Sequence, residues 1–110
     1  MTLEQLNELG AKTGEGMERC LNNEEFYLRM VGMALGDDGY DKLKEAIEAG
    51  DLDEAFERAH ALKGLLANVS LTNLLEPVAE MTEELRARND IDYKAYLDKM
   101  FEELGKLRAL

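Results

Sequence analysis

Between Asp51 and Val69 one stripe of apolar residues falls at Leu52, Ala55, Ala59, Leu62, Leu66 and Val69. The intervals are three, four, three, four and three, the period of one face of an α-helix and incompatible with a strand, whose faces alternate every second residue. The rest of the chain repeats the pattern. Nowhere does it alternate at period two for long enough to form a strand. With one proline and no tryptophan in 110 residues, and with Leu, Ala, Glu and Met abundant, the chain is expected to be all-α.

The stops and starts divide it. Thr2-Leu3-Glu4-Gln5 has the form of a capping box and opens a short helix that ends near Gly10. Gly10, Gly14 and Gly16 mark an irregular stretch, with one further turn of helix at Met17, Cys20 and Leu21. Asn22-Asn23-Glu24-Glu25 starts a helix with the apolar face Phe26, Met30, Val31, Ala34 and Leu35, which Gly36 to Gly39 breaks. Tyr40, Leu43 and Ile47 mark the next, ended by Gly50. Asp51 and Glu54 then cap the helix that runs to about Val69.

Ser70 or Thr72 opens a segment with Leu71, Leu74, Leu75, Val78, Met81 and Leu85 on one face. Pro77 lacks the N–H that would bond the carbonyl of Asn73, so a bend or a late start is expected there. The last helix runs from about Asp92 to Arg108, with Tyr93, Leu97, Met100, Phe101, Leu104 and Leu107 inward. Short connections favour antiparallel neighbours. The expected architecture is an antiparallel up-down four-helix bundle over 38–108, with short N-terminal capping helices over 1–21, in a single domain spanning 1–110.

On a wheel of about 100° per residue, His60 falls roughly 130° from the centre of the Leu52–Val69 stripe. The only histidine of the chain is therefore expected on the solvent-facing flank of its helix. Gly64 lies one turn beyond it and Ala67 further on, leaving a surface nearly bare of side chains. Lys63 sits beside the histidine, toward the core edge. A glycine inside a helix costs about 1 kcal/mol relative to alanine, so its place one turn from the histidine suggests close approach by something else.

His60-Ala61-Leu62-Lys63-Gly64, followed by Asn68, resembles the H-x-L-K-G-x-x-x-N signature of histidine-containing phosphotransfer (HPt) domains. The approach from Leu43 to Ala59, the lid-like Gly16 to Cys20 with Glu25-Phe26-Tyr27, and the helix from Leu71 to Arg88 resemble that family too. The likeness extends over about 14–108. It implies that His60 accepts a phosphoryl group from an aspartyl phosphate on a response-regulator receiver domain and passes it to another. Lys63 would offset phosphoryl charge; Gly64, Ala67, Asn68 and Leu65 would meet the partner. Leu65 and Leu66 depart from the small residues frequent after the glycine, and Ser70 from a frequent glycine. Leu65, nearer the partner surface, bears on which partner fits.

The implied partners are receiver domains and a hybrid sensor histidine kinase. The protein needs no cofactor of its own; Mg²⁺ is expected on the receiver. A metal site is not expected, since one histidine and one cysteine cannot build a zinc site, and Lys42 stands where a calcium loop beginning at Asp37 needs glycine. Without a G-x-x-x-x-G-K-[ST] loop, the chain is expected to carry phosphate without autonomous ATP-dependent kinase activity. Its formal net charge of −11 disfavours nucleic acid and anionic membrane. No apolar run approaches a membrane span, the N-terminus lacks signal-peptide regions, and Cys20 is alone, so a cytoplasmic monomer is expected. The carboxylates at Glu80, Glu83, Glu84, Glu102 and Glu103 are read as solvated faces, and the six methionines as core filler. The competing reading is a helical adaptor that binds a receiver or kinase without carrying phosphate.

Overall fold

The computed structural model describes residues 1–110 and contains seven helices and no strand. They are α1 (Leu3–Glu8), α2 (Thr13–Arg19), α3 (Glu24–Leu35), α4 (Gly39–Glu48), α5 (Leu52–Asn68), α6 (Thr72–Arg86) and α7 (Lys94–Arg108). The start signals are used as read. Thr2 and Gln5 close a reciprocal capping box, at 3.1 and 3.0 Å. The Asn23 side chain accepts from the Phe26 N–H at 3.0 Å, and that of Asp51 from the Glu54 N–H at 3.1 Å. Each satisfies an amide that has no partner inside its helix.

The helix ends share one device. Gly50, Ser70 and Arg88 adopt left-handed φ values of 72°, 56° and 55° after α4, α5 and α6. At the second of these the Leu71 N–H reaches back to the Leu66 carbonyl at 3.2 Å and the Ser70 N–H to that of Ala67 at 3.2 Å, closing a Schellman motif. Glycine is the usual occupant. Ser70 tolerates the strained conformation with the Arg19 guanidinium donating to its hydroxyl at 2.6 Å.

The helix α5 is central, packing most extensively against α6 and α4, while α6 packs on α7. Arg88, just past α6, meets Asp53 at the start of α5 at 2.6 Å, while Lys63 in mid-α5 lies 3.6 Å from Glu83. These pairings run α5 and α6 in opposite directions. The expected α5 stripe is buried, with Ala55, Ala59, Leu62, Leu66 and Val69 in the core and Leu52 half-buried.

The first three helices gather at the α5–α6 turn. The Lys12 N–H donates to the Ser70 carbonyl at 2.9 Å, Arg19 to the Ala67 carbonyl at 3.0 Å, and the buried Tyr27 hydroxyl to the Val69 carbonyl at 2.8 Å. The molecule measures 41 × 23 × 19 Å. Its long axis exceeds the roughly 25 Å of its longest helix, which fits segments stacked at the end of the long helices.

Several expectations change. Gly14 and Gly16 are not in an irregular stretch but inside α2. A Cβ on Gly16 would collide with the Tyr27 ring, so glycine there serves packing. On α3, Tyr27 and not Phe26 faces the core: Tyr27 is fully buried, whereas Phe26 is exposed. Helix α6 starts at Thr72, well before Pro77, so there is no late start. Finally, Glu103 is buried, with Lys99 Nζ at 3.0 Å and Lys106 Nζ at 3.2 Å. Burial pushes its carboxyl up, but the two ammonium groups outweigh it and hold the carboxyl below its ordinary value. Of the methionines, Met81 and Met100 fill the core, while Met33 is exposed.

Candidate functional site

The site is the outward flank of α5. The buried stripe fixes which way the helix faces, and with it the orientation of everything else along its length. His60 is exposed, as are Ala61, Gly64, Ala67 and Asn68. A Cβ built on Gly64 would meet nothing within 4 Å. Packing inside the chain therefore does not require glycine there, and the surface beyond the imidazole is flat.

Lys63 is half-buried beside His60, and its ammonium is shared with Glu83 of α6. Glu83 also accepts from Arg86 Nε at 3.2 Å. The Arg86 guanidinium, with Lys63 adding to it, holds the Glu83 carboxyl below its ordinary value. Surface pairs of this kind are worth about 0–1 kcal/mol, so Lys63 can leave Glu83 for a more highly charged group. Leu65 lies apart from the other expected docking residues. It is half-buried and lines a shallow depression with Asp37, Gly39, Arg58, Ala61 and Leu62, toward α4 and away from the imidazole.

Three residues near the histidine are absent from the sequence reading. The Phe56 ring stacks on the His60 imidazole, with centroids 5.6 Å apart and planes at 22°. The guanidiniums of Arg86 and Arg88 lie 5.0 and 4.9 Å from the Phe56 centroid. Phe56 precedes His60 by four residues, a spacing that brings side chains together on a helix, so its proximity is readable from sequence. The arginines are not, because they depend on the register of α6 against α5. Three cationic side chains, Lys63, Arg86 and Arg88, thus gather beside His60, each paired with a carboxylate, and no group of three or more His, Cys, Asp or Glu side chains is placed to hold a metal ion.

A family model for the Hpt domain matches residues 36–109. The chain belongs to the Hpt domain family. The match takes in α4 to α7, with His60 inside it, and leaves out α1 to α3. No curated protein and no solved structure matches the chain. Hpt domains serve histidine phosphotransfer in phosphorelays, where they interact with receiver domains and kinases. No helix of this Hpt protein is long and apolar enough to cross a membrane.

Proposed function

We propose that this chain is a phosphoryl carrier that takes a phosphoryl group onto His60 from the aspartyl phosphate of a receiver domain and hands it to a second receiver. The observation that carries the reading is the exposed imidazole one turn from Gly64, where a side chain would meet nothing of the chain. A receiver must bring its phosphoaspartate within bonding distance of a ring nitrogen, and a bare face permits that. The architecture we infer is an antiparallel up-down four-helix bundle of α4 to α7, with α1 to α3 capping the end at the α5–α6 turn. The protein acts as a monomer in the cytoplasm.

In the forward step the lone pair of a ring nitrogen forms an N–P bond. The P–O bond to the receiver's aspartate breaks, and its electron pair leaves with the carboxylate. The second ring nitrogen keeps its hydrogen, so the product ring is cationic until that proton passes to water. Transfer to the next receiver reverses these changes. Phosphoryl transfer depends on positioning and charge neutralisation more than on covalent help. Lys63 supplies a cation beside the nucleophile. Gly64, Ala67 and Asn68 form the platform on which the receiver lands, and Mg²⁺ comes with the receiver.

The test is transfer of labelled phosphate from a phosphorylated receiver. The expected product is acid-labile, base-stable phosphate on His60, with no labelling by ATP and Mg²⁺ alone. A stable complex with a receiver that never yields phosphohistidine would replace the carrier by an adaptor.

A further inference from the structure

An exposed side chain ordinarily samples several rotamers, and a nucleophile that must meet phosphorus in line gains from not doing so. In this protein the imidazole has a fixed partner. Its face lies on the Phe56 ring, 5.6 Å between centroids with the planes 22° apart, within the range of offset-stacked aromatic pairs. No side chain or carbonyl of the chain hydrogen-bonds either ring nitrogen, so the stack alone orients the ring. Stacking occupies a face of the imidazole and leaves its edge, where both nitrogens lie, open to a donor.

Phe56 is itself held. It is half-buried and packs against the core. Arg86 and Arg88 reach it from the end of α6, within the range of cation–π attraction. Both arginines are anchored. Arg88 donates to Asp53 at 2.6 Å and to the Leu85 carbonyl at 2.7 Å, and Arg86 donates to Glu83 at 3.2 Å. The chain of contacts runs from α6, through the arginines and Phe56, to the imidazole.

We infer that Phe56 is a positioning residue for phosphoryl transfer at His60: its ring, clamped by Arg86 and Arg88, holds the imidazole in one orientation for attack on phosphorus. The inference rests on the carrier reading for its biological reaction, but the ring geometry can be tested without a receiver. Phe56 makes and breaks no bond. It acts on the rate constant of the step and not on affinity for the donor.

The experiment compares the full chain with Phe56→Leu, which keeps an apolar, helix-favouring side chain, and Phe56→Tyr, which keeps the ring. Each is given phosphoramidate, a donor too small to need docking, whose P–N bond breaks as the imidazole nitrogen bonds phosphorus and whose nitrogen leaves as ammonia. Each is then given a phosphorylated receiver. Proton NMR follows the carbon-bound ring protons of His60. The expected wild-type signals are displaced upfield by the Phe56 ring current. In Phe56→Leu they return to the positions of free histidine, and labelling by phosphoramidate slows about three- to tenfold. With the receiver the maximal rate falls while KM stays put, and Phe56→Tyr recovers all three readouts. Undisplaced His60 signals in the wild-type protein overturn the inference without any variant. So does a folded Phe56→Leu protein labelled at the wild-type rate, or one whose only change is in KM. If phosphoramidate labelling depends on Phe56 but no receiver transfers phosphate, the carrier reading fails and the positioning role stands.

Discussion

Two helical glycines divide this molecule. Gly16, in α2, has the Tyr27 ring where a side chain would go. Gly64, in α5, has nothing within 4 Å. The first belongs to the closed end of the protein, where α1 to α3 fold over the α5–α6 turn and the backbone carbonyls of Ala67, Val69 and Ser70 are each bonded by a donor from the N-terminal segments. The second belongs to the open flank of the same helix, one turn past His60. Both incur the same local cost of a glycine in a helix. At the closed end the chain shows the return: a fully buried tyrosine fits. On the open flank no atom of the chain supplies one, as is also true of Gly14, Gly32 and Gly105; what sets Gly64 apart is its place one turn from His60, where the carrier reading proposes that a partner lands.

The sharpest break of this contrast is at the nucleophile. His60→Gln should abolish phosphate acceptance while leaving the unfolding free energy within the roughly ±0.5 kcal/mol typical of surface changes. Label on the Gln variant after exposure to a phosphorylated receiver would remove the open flank's meaning.

Next in size is Gly64→Gln. Glutamine favours the helix over glycine by roughly half a kcal/mol or more, and with no neighbour to clash, thermal stability should hold or rise. Transfer from a receiver should nevertheless slow by on the order of 10- to 100-fold, as expected when a reacting pair is held about 1 Å apart from its productive geometry. A variant of lower stability that transfers normally would place Gly64 with Gly16 as a packing glycine.

Gly16→Ala should behave in the opposite way. A methyl group there must displace the Tyr27 ring from the core, and overpacking of this kind costs about 1–3 kcal/mol. Gain in helix propensity offsets part of that. Denaturant unfolding should show the loss, while the folded fraction accepts phosphate at the normal rate, because α2 lies at the end of α5 and not over the imidazole.

How far the sequence reveals these two regions also differs. The open flank was legible because it follows from one helix. The stripe from Ala55 to Val69 is local in sequence, fixes the orientation of α5, and so exposes His60 and Gly64. Phe56 was legible by the same spacing. Lys63–Glu83 and the Arg86–Phe56–Arg88 cluster were not, since they depend on how α6 slides along α5. The closed end was legible only in its start signals. Two glycines in a seven-residue segment argue against a helix on propensity alone; tertiary packing on Tyr27 overrides them. The choice of Tyr27 over Phe26 turns on a phenol oxygen that finds the Val69 carbonyl, a partner 42 residues away in sequence.

That hydrogen bond gives the smallest of these effects and one that is specific to the closed end. Tyr27→Phe keeps the ring and removes the hydroxyl, leaving the Val69 carbonyl without it, so the variant should lose about 0.5–1.5 kcal/mol at neutral pH. Alkali adds a second signature. Burial, reinforced by Cys20, pushes the Tyr27 phenol above its ordinary value, against a smaller opposing effect of Arg19. In the unfolded chain the phenol ionises near pH 10, before it does so in the folded protein. Between those two values the unfolded state has lost a proton that the native state keeps, so stability falls as pH rises. The contribution is fully present below about pH 10 and lost as pH climbs through the folded value. Tyr40 and Tyr93 are raised as well, chiefly by burial, so the wild-type protein should show a steep alkaline limb to which several phenols contribute. Tyr27→Phe should make that limb shallower, and the gap in stability between variant and wild type should narrow above pH 10. A gap that stays constant from pH 7 to pH 11 would mean that the closed end is not held through this phenol. The comparison would then rest on Gly16 packing alone.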